Sequence, residues 1–246
     1  MVISNSAKSR PRVVVAGATG LVGRAVLALL TSRPAASGIP KHSSLTALVR
    51  QPAQLAGWPA GVKAQLIDLS ALGRAGVEGL PPLDWAVCCL GTTIKAAGSQ
   101  AAFRAVDFDA VLAFARAAKV AGASRLAVVS AMGARPRSSV FYNRVKGEME
   151  QALIALDLPR LVIAQPALLL GERASLGQAS RPGEALAQRL LPHIARVLPP
   201  SLRPIRADAV ALAMLGALAA DGPAVSRLSS DRLQALADQA RSPHRH

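Results

Sequence analysis

A single tyrosine, Tyr142, stands four residues before Lys146 in the stretch SSVFYNRVKGEMEQ, residues 138–151. Lysine is scarce as well: six of the 29 basic residues are lysine and the other 23 are arginine. A spacing of four places both side chains on one face of a helix. A free phenol has a pKa of about 10 and is a poor base at neutral pH, whereas a neighbouring ammonium stabilises the phenolate and lowers that pKa. Ser130 closes the apolar run RLAVVSA (125–131) and can donate a hydrogen bond to an oxygen on which charge develops. Ser130, Tyr142 and Lys146 could thus move a proton to or from a substrate oxygen while hydride moves at the adjoining carbon. The competing reading of Tyr142 is an amphipathic residue at a helix edge, its hydroxyl in water.

Hydride chemistry needs a carrier, and the first apolar run supplies a place for one. RVVVAGA (12–18) runs into Gly17-Ala18-Thr19-Gly20-Leu21-Val22-Gly23. A glycine directly after a strand permits a tight turn, a second admits a pyrophosphate to the backbone, and a third lets the next helix pack closely. The new helix then presents backbone N–H groups and its positive end to the phosphates. The same glycines could serve turn chemistry alone. The second strand, SLTALVR (44–50), ends in Leu48-Val49-Arg50 with no carboxylate to accept bonds from ribose hydroxyls. Arg50 can pair with a 2′-phosphate instead, which favours NADP(H) over NAD(H), unless it is an ordinary loop arginine. Asp68 could accept a hydrogen bond from the adenine amine or cap a helix. Leu90, Gly91 and Thr92 follow the fourth strand, where backbone would line the cofactor ribose, although Thr92 could equally be a turn residue.

The elements that must position these groups follow a strand–helix rhythm. LVGRAVLALLTS (21–32) reads as a helix, VKAQLID (62–68) and WAVCCLG (85–91) as strands, and 100–122 as a long helix with Phe103, Val106, Val111, Phe114 and Ala118 roughly on one face. A helix carrying Tyr142 and the strand RLVIAQPALLL (160–170) come next. Strands apolar throughout imply a sheet covered on both faces, hence parallel with helical crossovers. The fold class is therefore α/β, a Rossmann-like doubly wound parallel sheet. Beyond about residue 170 the rhythm fails and helices are expected to dominate. The expected organisation is one domain over 1–246, with 171–205 and the C-terminal helices as a small substrate-side region.

Composition narrows the rest. Half the residues are apolar, enough for a sizeable core, yet aromatics are only 3%, so that core must be built from Ala, Val and Leu. The net charge of +15 raises nucleic acid as a partner, but no dense basic run with interleaved aromatics supports it, and none is expected. Adjacent Cys88 and Cys89 have no metal-ligand spacing around them and read as buried small hydrophobes in a reducing compartment. His42, His193, His244 and His246 are scattered and receive no catalytic role. The N-terminal MVISNSAKSRPR lacks the apolar core of a signal peptide, and AVALAMLGALAA (209–220) is too short to span a bilayer. A soluble, cytoplasmic chain acting on a small molecule is expected.

The glycine motif and the Ser130…Tyr142-x-x-x-Lys146 set resemble the atypical short-chain dehydrogenase/reductase superfamily. More narrowly, CCLGTT, Val106-Asp107, VKGEME (145–150) and SRPGE (180–184) are similar to the Tat-interacting-protein type of NADPH-binding oxidoreductase and its bacterial relatives, over about residues 12–215. The resemblance implies a Rossmann-like fold, NADPH in the crevice with Pro166 among its contacts, and Ser130, Tyr142 and Lys146 as the catalytic set. Many relatives carry Arg-Pro-Gly where this chain has Gln165-Pro166-Ala167, so the resemblance implies no polar contact to substrate there. Two other functions share these features: a dinucleotide-binding regulatory or scaffold protein without turnover, and an NAD-dependent sugar-nucleotide epimerase. Arg50 argues against the latter.

Overall fold

The structure is a computed structural model and describes residues 10–32, 38–51, 54, 58–69, 79–170 and 199–242. Its first strands are β1 (Arg12–Ala16), β2 (Ser44–Val49), β3 (Val62–Leu66) and β4 (Trp85–Cys88), followed by β5 (Arg125–Val129), β6 (Arg160–Gln165) and β9 (Val225–Ser229). They form one seven-stranded sheet in the order β3-β2-β1-β4-β5-β6-β9, every pair parallel. This is the doubly wound order in which the chain reverses direction across the sheet between β1 and β4, leaving a crevice at the strands' carboxyl ends.

The pleat explains why these strands read as continuous apolar runs. In β1, Val13 and Val15 face one helical layer while Val14 and Ala16 face the other. The first layer holds α1 (Leu21–Ser32), α6 (Ala207–Ala219) and α7 (Ser230–Arg241). The second holds α4 (Val111–Val120) and α5 (Phe141–Ile154), with Phe114, Met149 and Leu153 fully buried against the sheet. Between β4 and α4 lie two short helices, α2 (Ile94–Ala97) and α3 (Gln100–Arg104), each opened by a hydroxyl cap, Thr93 and Ser99. A π-helical turn, Ala105–Ala110, joins α3 to α4.

Three expectations need correction in detail. The long helix expected over 100–122 is interrupted by that π-helical turn. The run 160–170 is not one strand: β6 stops at Gln165 because Pro166 has no N–H for the ladder. Leu169–Leu170 (β7) pairs instead with Ile205–Arg206 (β8) in a separate two-stranded sheet. The helical reading of the C-terminal part missed β9, an edge strand whose sequence VSRLS has only two apolar residues and so lacks the buried-strand signature. The segment 171–198, including SRPGE, lies outside the described residues.

Three arginines show how a basic chain uses its charges internally. Arg125 Nη1 donates to the carbonyls of Leu218 and Ala219 at 2.6 and 3.0 Å, and Arg160 Nη2 to that of Ala217 at 2.7 Å, closing the C-terminal end of α6. Arg12 chelates Asp84 through Nε and Nη2 at 3.0 and 2.8 Å, tying β1 to the start of β4. That pair holds the Asp84 carboxyl below the usual carboxylate range.

Candidate functional site

The glycine turn has the geometry its spacing requires. Gly17 takes φ +74°, and a Cβ there would lie 2.4 Å from the Cys89 carbonyl carbon, so β1 and the end of β4 approach too closely for any side chain. Gly20 donates its N–H to the Gly17 carbonyl at 3.1 Å. A Cβ on Gly23 would sit 2.2 Å from that same carbonyl, which makes the third glycine a helix–turn packing residue. Gly20 differs: a Cβ would meet only the Gly17 carbonyl oxygen, at 3.4 Å, leaving its outward side open. The backbone around Gly20 thus offers the bare surface a pyrophosphate needs.

Around this turn opens a cleft of about 1810 Å³, walled by the carboxyl ends of β1 to β4. Gly17, Thr19 and Gly20 line it from β1, Arg50 from β2, Asp68 from β3, and Leu90, Gly91 and Thr92 from β4. Ala18, Val22 and Gly23 are buried behind that wall and Leu21 is half-buried against the core, so these four support the turn. Pro166 lies outside the cleft lining, its carbonyl accepting a hydrogen bond from the Met132 N–H at 3.0 Å. Cys89 reaches the cleft wall, but burial pushes its thiol up as it does that of Cys88, which rises to about 12, so both stay protonated.

Beside Gly91 the cleft meets a buried ion pair. Lys146 Nζ lies 2.7 Å from Asp107 Oδ1, with side chains only 3% and 0% exposed. The other carboxylate oxygen, Oδ2, accepts the Thr92 N–H at 2.9 Å. A Cβ on Gly91 would lie 3.4 Å from Asp107 Oδ1 and 3.8 Å from Lys146 Nζ, so the ion pair sits within van der Waals reach of the cleft wall. Tyr142, one turn earlier on α5, packs its ring 5.3 Å from that of Phe103. Burial pushes the Tyr142 phenol above its ordinary pKa; the Lys146 charge pulls it down, and the Asp107 charge pushes it up again. The lowering expected from Lys146 alone is therefore outweighed.

Ser130 follows β5 as expected, but its hydroxyl is turned into the protein. It donates to Glu150 Oε1 at 2.5 Å, and the same oxygen accepts from Gln165 Nε2 at 2.8 Å. Glu150 Oε2 accepts from Arg227 Nε at 3.1 Å. Glu150 thus ties together the ends of β5 and β6, and the edge strand β9. A hydroxyl has one proton, so while bound to Glu150 it has none for a substrate. The structure places Tyr142 and Lys146 one turn apart on α5 and engages the Ser130 hydroxyl with Glu150, one turn further along the same helix.

Asp107 and Glu150 appear in the sequence only within the motifs Val106-Asp107 and VKGEME, with no role attached, although each had a signal. Asp107 stands four residues after Phe103 and four before Val111, on the apolar face of its helix, where an acid has to be paired. Glu150 continues the spacing of Tyr142 and Lys146 by another four.

A parallel, doubly wound sheet with a glycine-lined cleft at its switch point is the fold of a dinucleotide-binding protein. The chain belongs to the NAD(P)H-binding family, whose model matches residues 17–189. Among curated proteins it is 35% identical to "Protein FMP52-1, mitochondrial" of Scheffersomyces stipitis over 171 residues, 65% of this chain and 67% of that one. It is 42% identical to "Protein HTATIP2" of Rattus norvegicus over 106 residues, 43% and 42% of the two chains. The resemblance to Tat-interacting-protein-like oxidoreductases therefore holds. In fold it is similar to MoeE5 in complex with UDP-glucose and NAD, with a TM-score of 0.64 at 14% identity, over 93% of this chain and 81% of that one. The ADP-L-glycero-D-manno-heptose-6-epimerase of Helicobacter pylori also gives 0.64, at 13% identity over 96% and 83%.

One expectation is overturned by these relatives. The fungal proteins are named mitochondrial, so the cytoplasmic location inferred from composition does not stand. The inference failed because a missing apolar core excludes only a secretory signal; mitochondrial transit sequences are basic and serine-rich and have none. Among the described residues no helix is long and apolar enough to cross a membrane, and no cluster of metal-ligating side chains occurs.

Proposed function

We propose that the protein is an NADP(H)-dependent oxidoreductase that moves hydride to or from a small-molecule carbonyl or hydroxyl, with Tyr142 as acid/base. The observation that carries this reading is Gly91, which lines the dinucleotide cleft and at the same time flanks the Lys146 ammonium. The open backbone at Gly20 and the first turn of α1 would hold the pyrophosphate. Arg50 would pair with a 2′-phosphate, the β2 end having no carboxylate to read a bare ribose. Asp68 would accept from the adenine amine, and Leu90 to Thr92 would line the nicotinamide ribose, within reach of Lys146. The nicotinamide would supply or accept the hydride. In the reducing direction Tyr142 Oη would give its proton to the carbonyl oxygen as that oxygen takes up the electron pair; in the oxidising direction it would take the proton back.

A second reading has a specific observation in its favour. With the Ser130 hydroxyl on Glu150, the expected second donor is engaged elsewhere among the described residues, as it could be in a dinucleotide-binding regulatory or scaffold protein. We also propose that the chain is one folding unit, because α6 and β9, from beyond residue 198, complete the sheet and its covering layer.

Two measurements test the first reading. Thermal shifts with NADPH and NADH should differ in favour of NADPH, and Arg50→Gln should remove the difference; a preference for NADH would remove Arg50 from the account. Against a panel of carbonyl substrates, Tyr142→Phe should abolish turnover while NADPH affinity stays within about twofold. Turnover retained by that variant would eliminate the proton-transfer role. Oxidation of NADPH by no member of the panel, together with NADPH-dependent capture of a protein, would favour the second reading.

A further inference from the structure

Lys146 is the group from which a lowered phenol pKa is expected, yet in this fold its charge is already taken. Asp107 lies 2.7 Å away, both side chains are almost fully buried, and the carboxylate is held in turn by the Thr92 N–H. Bulk water cannot weaken such a contact, so the two charges largely cancel at any neighbouring group. The π-helical turn is what delivers Asp107 here. An extra residue in the turn rotates the downstream helix relative to a regular one, and such turns mark places where side chains have been re-aimed.

We propose that Asp107 is a positioning residue acting through Lys146: it moors the ammonium to the Gly91–Thr92 loop and absorbs the charge that would hold Tyr142 as phenolate, leaving Tyr142 a proton donor at rest. This rests on the proposed proton-transfer role of Tyr142 for its catalytic meaning, and on geometry alone for the pairing. The charges that act on the phenol are Lys146 from its own helix and Asp107 from the π-helical turn. From α3 it meets the Phe103 ring. The nearby Arg104–Glu148 pair, at 2.5 Å, is self-compensated, and the Cys88 thiol is uncharged. Burial raises the phenol, and Asp107 works in the same direction against Lys146. Removing the Asp107 charge takes away one of the influences that raise the phenol, so the phenol should titrate at lower pH.

The chain offers an unusually direct readout, since Tyr142 is its only tyrosine. The near-ultraviolet phenolate band of the 246-residue chain, followed against pH, reports this one group without substrate or cofactor. Far-ultraviolet circular dichroism over the same range separates titration of the folded site from alkaline unfolding. Asp107→Asn keeps the side-chain shape and an acceptor for the Thr92 N–H, and should lower the tyrosine midpoint by about one pH unit or more. If that variant does not fold, a second pair decides: Lys146→Met should titrate above Lys146→Met/Asp107→Asn, because only the former keeps an anion beside the phenol. An unchanged or higher midpoint in Asp107→Asn, or equal midpoints in the second pair, would overturn the proposal. Failure of the functional reading is distinguishable, because it shows in turnover by Tyr142→Phe and leaves the titration untouched. If both hold, the pH profile of carbonyl reduction by Asp107→Asn should lose its alkaline limb at correspondingly lower pH.

Discussion

Ser130 illustrates how a residue can stand in the right place and yet be spoken for. Its position after β5 is the one its role in catalysis would require, but its proton goes to a carboxylate that also gathers Gln165 and Arg227. An oxyanion donor removed from an active site typically costs about 10²–10³ in kcat. Ser130→Ala should cost much less, within about tenfold, while unfolding about 1 kcal/mol more easily through loss of one buried hydrogen bond. Denaturant unfolding and turnover of the same preparation measure both. A loss of two orders of magnitude in kcat with unchanged stability would show that the hydroxyl leaves Glu150 during the reaction. The Asp107–Lys146 pair carries a different expectation for stability. Each partner alone is a buried charge, so Lys146→Met should destabilise by about 3–5 kcal/mol and the double replacement with Asp107→Asn by less.

At the scale of elements, most of what positions the site could be read in advance because the relevant signals are local. The span of α1 follows from its periodicity, and the glycine turn from a spaced triplet in which a Cβ on Gly17 or Gly23 would have run into backbone. The misreadings have a common cause, the absence of long-range contacts from a linear pattern. Asp107 on an apolar face announces a partner without saying which, and the π-helical turn that aims it has no local code. Strand β9 is recognisable only through its pairing with β6. Gly147 belongs to the same class. A Cβ there would lie 2.2 Å from the Arg135 carbonyl carbon and 2.4 Å from the Pro136 nitrogen, so the segment after β5 crosses α5 in backbone contact, one residue beyond Lys146. Gly147→Ala must therefore push that segment away. The added methyl favours the helix by about 1 kcal/mol in isolation, and overpacking against fixed backbone costs about 1–3 kcal/mol. The expected result is a net loss of stability with a raised KM, because the displaced segment leads directly into the start of α5 and Tyr142. A stabilised variant with unchanged kinetics would show that the crossing has room to relax.

For the molecule as a whole, the charge of +15 has two consequences of opposite sign in salt. Several arginines are consumed internally, as at the end of α6 and against Asp84, yet the 29 basic residues exceed the 14 acidic ones too far for pairing to absorb them. The excess repels itself, which opposes compactness, and the same field attracts an anionic dinucleotide towards the cleft. At about 0.15 M ionic strength the Debye length is about 8 Å, so both long-range effects fade while the buried Asp107–Lys146 contact is scarcely screened. Raising sodium chloride from low concentration to about 0.3 M should therefore raise the Tm of the ligand-free protein by a few degrees and weaken NADPH affinity severalfold. Arg50→Gln should flatten the salt dependence of NADPH binding without altering that of Tm, since one local charge among many contributes little to global repulsion. Calorimetric titration and thermal unfolding across one salt series separate the two. If Tm falls over this range, the surplus charge is neutralised within the fold; if affinity is indifferent to salt, the dinucleotide is held by backbone and apolar contacts, and Arg50 carries no part of its phosphate recognition.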